Sequence, residues 1–344
     1  MLKSLKFLAG TPPTFRPRRA LGLLVGTAAA ALLSACETDI EVPEPEHEPR
    51  VAVAYVLDAN PASDKRLREL FDDRVPFVSV SQRLFDSRQL EGSTNATIEV
   101  RDGAGAVVER YKPRTGQPGQ GGWGGGFNST GRYEPLLGYT FRPGSSYTLR
   151  VSALNAPTAE SRVTLPATVA IAEASLTPLR STDPYNQLAR LSVSFDDPSG
   201  AGNYYLVYAL LRDANDNIVG AAFVDDETDG AVNVSRFRLS QPGSYSTEPF
   251  SDSGFDGRRL TLTNNVRYYV NNGGTFPGGP GATKYLDIVV SHITRDLYLF
   301  YNSRRVYQDN DGNPFAEPTP LYSNIEPGFG IFGGATDAVY RITL

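Results

Sequence analysis

Cys36 is the only cysteine among 344 residues, and that single fact most constrains the fold. A chain with one thiol forms no internal disulfide and builds no cysteine-based zinc cluster, so its fold must rest on packing alone. The position of the thiol matters as much as its solitude. Lys3, Lys6, Arg16, Arg18 and Arg19 precede Ala20 to Ala35, a stretch of apolar or small residues, and no acidic residue occurs before Cys36. This is the charge and length pattern of a secretory signal, and it is short for a membrane-spanning helix. Leu33-Ser34-Ala35-Cys36 looks like a bacterial lipobox. Small residues at 34 and 35 let a peptidase reach the backbone, and the following thiol is the nucleophile that diacylglycerol transfer requires. The sequence therefore predicts that residues 1–35 are a removed lipoprotein signal and that Cys36 is the lipid attachment site. Each buried acyl methylene adds about 0.8 kcal/mol, so two or three chains hold a protein on a membrane firmly.

Removing the leader and its five basic residues from the 33 in the chain leaves 28 basic and 38 acidic side chains, a formal charge of −10. That balance argues against nucleic acid and against a basic membrane-binding face. Residues 36–49 form an acidic, proline-bearing tether. Glu37 to Pro49 carries six carboxylates and three prolines. Mutual repulsion and fixed φ angles keep such a segment extended, with a reach of roughly 40 Å.

Beyond the tether the chain is rich in tyrosine, phenylalanine, glycine and proline, and its longest apolar run, Tyr204 to Leu211, has eight residues. These are marks of short strands and many turns, and the expected fold class is mostly β. Two domains are expected. The first, 50–168, begins with Val51 to Leu57, apolar on both faces, then a short helix near Ser63 to Phe71. A hairpin joins Ala96–Arg101 to Ala106–Tyr111, and further strands fall near 147–151 and 162–165. This pattern suggests an immunoglobulin- or transthyretin-like β-sandwich, with Tyr147, Leu149 and Val151 in the core. The second domain, 169–344, reads as an antiparallel β-rich unit carrying one helix near its C-terminus, about 294–307, with Arg304 and Arg305 near the helix end. Its last strands are expected at Phe329–Phe332 and Ala338–Leu344. Gly328, Gly330, Gly333 and Gly334 suggest a structural corner that tucks Phe329, Ile331 and Phe332 inward.

Candidate chemistry is sparse. Thr115 to Gly131 holds eight glycines around the only tryptophan, Trp123, and lacks the Lys-Ser/Thr ending of a phosphate-binding loop. Trp123 is a candidate partner or ligand contact, because exposed tryptophan is a common hot-spot residue. The two histidines, His47 and His292, are far apart and form no zinc motif. No Gly-x-Ser-x-Gly elbow occurs. The acidic pairs Asp72-Asp73 and Asp196-Asp197 read as solvated turn residues. Calcium is the one cofactor the residues suggest, at Asp309 to Asn313 or Asp225 to Asp229, although Pro314 and Pro320 stand where a calcium loop needs glycine and glutamate. No catalytic, cofactor-binding or metal residue is assigned, and the chain reads as a binding protein, not an enzyme.

Two C-terminal stretches carry a resemblance. Asn313-Pro314-Phe315 and Ser323-Asn324-Ile325-Glu326-Pro327-Gly328-Phe329-Gly330-Ile331-Phe332, together with the lipobox, the acidic linker and Asn203-Tyr204-Tyr205, resemble a Bacteroidota lipoprotein family built on a domain of unknown function. The resemblance implies an outer-membrane lipoprotein, often encoded near TonB-dependent receptors, and no catalytic residues. The acidic residues after Cys36 are similar to surface-export signals of such lipoproteins, so the cell surface is expected in preference to the periplasmic face. The expected partners are the outer membrane, through Cys36, and a β-barrel outer-membrane protein. The expected role is an accessory subunit of a TonB-dependent transporter or another outer-membrane complex. The alternatives are a glycan-binding or glycan-degrading surface lipoprotein, or an adhesin. If Cys36 carries lipid, Cys36→Ser will abolish incorporation of labelled palmitate and release the protein from the membrane fraction; persistent labelling would contradict the assignment.

Overall fold

The structure is a computed structural model describing residues 43–59, 72–86, 88, 90–114, 130–181, 186–200, 202–229, 238–241, 247–270, 281–310, 317 and 319–344. Cys36, Trp123, the short helix expected near 63–71 and most of Asp309 to Asn313 lie outside those residues. The chain divides into Met1–Glu46, of which only an extended end is described, and a compact unit, His47–Leu344. No helix among the described residues is long and apolar enough to cross a membrane.

In chain order, the compact unit opens with β1 (Val51–Asp58) and β2 (Phe77–Val80), preceded by a 3-10 turn at Asp72–Arg74. Next come β3 (Thr97–Asp102), β4 (Val107–Pro113), β5 (Tyr133–Pro135), β6 (Ser146–Ser152) and β7 (Ala159–Thr164). They form one antiparallel sheet in the order β5-β4-β3-β6-β7. After these run β8 (Ala170–Leu179), β9 (Asn186–Asp196), β10 (Tyr204–Asp213), β11 (Ile218–Ala221), β12 (Phe223–Val224), the single turn α1 (Asp226–Asp229) and β13 (Phe250–Ser251). The chain ends with β14 (Arg259–Tyr269), β15 (Thr283–Ile293), the helix α2 (Arg295–Asp309) and β16 (Gly328–Thr343). A four-stranded sheet runs β12-β14-β9-β8, and a seven-stranded sheet runs β11-β10-β15-β16-β1-β2, with β13 beside β10. The fold is mostly β, as expected. β1 and β2, which precede position 168, stand in the same sheet as the C-terminal strands.

The seven-stranded sheet is the middle layer, and its sequence explains why. In β10, Tyr205, Val207, Ala209 and Leu211 face the core shared with the four-stranded sheet, while Leu206, Tyr208 and Leu210 face the opposite side. A strand apolar at both parities is stable only where both faces are covered. β1 repeats the pattern: Val51, Val53, Tyr55 and Leu57 pack against the five-stranded sheet, and Val56 faces the helix side. The expected core residues Tyr147, Leu149 and Val151 lie in that first packing layer and are buried. On the other side, α2 lays Leu297 and Tyr301, one turn apart, against the sheet.

β16 differs from its expected form. In place of two short strands around a corner, one strand of 16 residues pairs in parallel with β1 over its first half and antiparallel with β15 over its second. Ile331 and Phe332 are buried, but Phe329 is 47% exposed, with Arg50 over its ring. Alternation decides this: Phe329 lies in the exposed, glycine-flanked start of the strand, before α2 covers that face. Gly330 has φ +102°, and a Cβ there would lie 1.9 Å from the Val53 carbonyl oxygen. A Cβ at Gly333 would lie 2.9 Å from the Leu297 side chain, so this glycine sets how closely α2 approaches.

Residues 259–269 form one unbroken strand, because Asn264 and Asn265 stay in register with β9. The helix also runs past Tyr307 to Asp309, so Arg304 and Arg305 fall short of its last turn and serve sideways contacts. Arg304 donates to Thr247 and lies 5.1 Å over the Tyr301 ring, while Arg305 pairs with Glu248. Gly330→Ala should destabilise the fold by about 3 kcal/mol or more in denaturant unfolding, whereas Gly103→Ala, where a Cβ would meet only the Ser146 carbonyl oxygen at 3.9 Å, should change stability by less than about 1 kcal/mol.

Candidate functional site

A cleft of about 510 Å³ lies between β1 and the β4–β5 end of the five-stranded sheet. Its walls carry Tyr55, Tyr111, Tyr133, Tyr139 and Phe141, with Asp58, Arg74, Glu109, Arg114 and Glu134 among them. That volume and mixture, aromatic walls with a few polar groups, is typical of a small-molecule site. The strands dictate the placement. Tyr55 points from β1 towards the five-stranded sheet and meets Tyr111 of β4, hydroxyl to hydroxyl at 2.6 Å, with their rings edge-on. Tyr133 is buried in β5 and donates to the Ser93 carbonyl at 2.7 Å. Burial raises the pKa of Tyr133 and of Tyr139, so both phenols stay protonated at neutral pH.

Two buried charges shape the cleft. Glu109 is fully buried, and its carboxylate accepts four backbone N–H groups: Arg110 at 2.9 Å, Leu136 at 3.1 Å, Leu137 at 2.7 Å and Tyr139 at 2.8 Å. Each hydrogen bond to a charged group contributes more than a neutral one, so Glu109 holds the 136–139 lip in place. It is thereby committed to the backbone. Arg74 is held by both oxygens of Asp337 and by Ser291 at 3.3 Å. Burial alone would lower the Arg74 pKa, but Asp337 outweighs it and the guanidinium stays charged. Leu136 and Leu137 of the lip are themselves exposed. The chain leaves the cleft wall at Arg114 and returns to it at Tyr133, so the segment containing Trp123 begins and ends at this site.

Elsewhere the sequence candidates divide. Asp225 accepts from Arg267 at 2.6 Å and from Thr228 at 2.5 Å, and Asp226 pairs with Arg238. These carboxylates are thus engaged by cations of the chain itself. Asp73 accepts from Tyr301. Asp196 is exposed and pairs with Arg259, but its neighbour Asp197 is buried, contrary to the reading of both as solvated. Asp197, Asp252 and Asp256 bring carboxylate oxygens within 4.8 Å of one another, a spacing that suits a hard cation. Each is also used by the chain: Asp197 by Tyr205 and by Gly257 N–H at 2.8 Å, Asp252 by Asn203 N–H at 3.2 Å, and Asp256 by Gly200 N–H at 2.7 Å. No short-range motif announces a cluster that joins Asp197 to Asp252 and Asp256, 55 and 59 residues further along the chain. Glu109 escaped notice for the same reason.

A family model described as Domain of unknown function (DUF4249) matches residues 73–341, more than three quarters of the chain. The chain belongs to the DUF4249 family. The DUF4249 span contains the cleft wall from Arg74 to Phe141, whereas Tyr55 and Asp58 reach the cleft from β1, outside it. No curated protein matches the chain.

His292, which the sequence places in no zinc motif, is buried, contacts the Ala167 carbonyl through Nδ1 at 2.8 Å and stacks on Tyr205. Burial lowers its pKa, opposed by the Ala167 bond and by Asp197 and Asp252. The imidazole is neutral in the fold and protonates more readily once unfolded. Its contribution to stability is therefore complete above the unfolded pKa, about 6.5, and is lost as pH falls towards the folded value. Stability should fall by up to about 1.4 kcal/mol per pH unit below pH 6.5. His292→Asn should flatten that dependence in denaturant unfolding followed from pH 7 to pH 5.

Proposed function

We propose that this DUF4249 protein is a lipid-anchored, glycan-binding protein of the Bacteroidota outer membrane, held at the cell surface through Cys36. It works beside a β-barrel transporter of the TonB-dependent type, to which it presents its ligand. The observation that carries the reading is the cleft of about 510 Å³ walled by four tyrosines and a phenylalanine. Aromatic faces stack on the apolar side of a sugar ring, and charged or hydroxyl groups at their edges bind its hydroxyls. The chemistry is capture, not turnover: Glu109 is committed to backbone N–H groups and Arg74 to Asp337. The acidic tether favours the same role, since it reaches roughly 40 Å and keeps a globule clear of the lipid surface.

The test uses exposed residues at the cleft mouth, so that folding is preserved. Leu137→Ser combined with Arg114→Gln should weaken binding of outer-membrane or capsular oligosaccharides by about ten-fold in calorimetric titration, with an unchanged melting temperature. Deleting Gly116 to Gly126 should abolish it. Unchanged affinity in both variants would overturn the cleft assignment. Gentle-detergent pull-down of the lipidated protein should recover a β-barrel partner in stoichiometric amount; recovery of the protein alone would remove the transporter from the proposal.

A further inference from the structure

Two shallow grooves lead away from the cleft, and each shares a wall residue with the next. Tyr139 lines the cleft and also a groove of about 430 Å³ beside the β3–β4 turn. Arg162 lines that groove and also a third hollow, of about 380 Å³, which ends at Thr294 and Arg295 where α2 begins. The three concavities thus adjoin one another in a row of shared wall residues. Three arginines stand along it: Arg142 and Arg162 in the first groove, Arg295 in the second.

Their electrostatic setting is unusual for this chain. The mature protein carries ten more acidic than basic side chains, and many arginines are matched to carboxylates, as Arg74, Arg259, Arg267 and Arg341 are. Among the described residues, Arg142, Arg162 and Arg295 form no ion pair. Two carboxylates share the path with them, Asp102 in the first groove and Asp296 in the second, and both also serve the chain. Asp102 accepts from Ala104 and Ala106 N–H at 3.0 and 2.9 Å, and Asp296 accepts from Tyr322 at 2.6 Å and Asn324 at 3.1 Å. Between the arginines of the first groove lies a neutral hydrogen-bonding group, Ser145, whereas Asn203 of the second groove gives its amide N–H groups to Pro198, Gly200 and Asp252. Guanidinium groups select carboxylate or sulfate, and neutral amides and hydroxyls select sugar hydroxyls.

We infer that the path from the tyrosine cleft through the two grooves binds an extended acidic polysaccharide, with a sugar unit in the cleft and its negative groups on Arg142, Arg162 and Arg295. The inference rests on the glycan reading of the cleft and adds the substrate class. Its test is titration of the full mature chain in detergent with a short oligogalacturonate and with the same oligosaccharide carboxyl-reduced to its uncharged form. The charged probe should bind more tightly by about ten-fold or more, and only its affinity should fall as salt rises from about 0.02 M to about 0.3 M. Arg142→Gln, Arg162→Gln and Arg295→Gln should each weaken the charged probe by on the order of three- to five-fold and leave the reduced probe unaffected. Arg180→Gln, also exposed and outside the path, should change neither. Equal binding of the two probes, lost on Leu137→Ser with Arg114→Gln but indifferent to the three arginines, would overturn the acidic class and keep the cleft. Failure of both probes to bind would overturn the path and the cleft reading together.

Discussion

The parallel pairing of β1 with β16 is the constraint on which the rest of the compact unit depends. Val51 to Asp58 lies residue for residue beside Gly328 to Ala335, so the first strand of the unit is locked to its last. A parallel contact across nearly 280 positions carries a large loop-closure cost, and it must be repaid by burial. It is repaid on both faces: Val51, Val53, Leu57 and Phe332 enter one core, and Val56 and Ile331 enter another. Each such side chain contributes roughly 2 kcal/mol when fully buried. The backbones come close enough only because Gly328 and Gly330 lack a side chain where Val51 and Val53 present their carbonyls.

The cleft inherits its geometry from this pairing. β1 brings Tyr55 and Asp58 to it, and β4 and β5 bring the facing wall. The two sides are then tied by polar groups that cannot be left unpartnered. Arg74 reaches from the 3-10 turn before β2 to Asp337 in β16, and Ser291 of β15 donates to the same carboxylate at 2.5 Å. Removing one member of such a buried pair leaves an uncompensated charge, which costs far more than the pair gains. These buried charges hold positions in the fold, and the groups left at the surface of the cleft are Tyr139, the lip and the exposed guanidinium groups.

Much of this was legible in the residues, and the rest was hidden for definable reasons. The alternation in Tyr147, Leu149 and Val151 located a core face directly, and the double-sided apolar runs in β1 and β10 marked strands covered on both faces. The helix expected over about 294–307 ends within two residues of the observed end of α2. What no local pattern carries is the meeting of distant positions. Glu109 reads as a polar residue on an amphipathic strand until the 136–139 lip turns its N–H groups inward. Asp197 reads as half of a solvated pair until Tyr205, Gly257 and Asp252 enclose it. The β16 glycines signalled close approach, but what they approach, β1 and α2, follows only from the topology.

The proposed role, capture of a surface polysaccharide, rests on the cleft and on the arginines beside it. The central claim is that ligand enters between β1 and the β4–β5 wall. Hydrogen–deuterium exchange of the full chain with and without an acidic oligosaccharide tests it most directly. The account predicts added protection in Val107–Pro113, in Tyr133–Pro135 and at the 136–139 lip. Protection confined to the four-stranded sheet, with these segments unchanged, would contradict it.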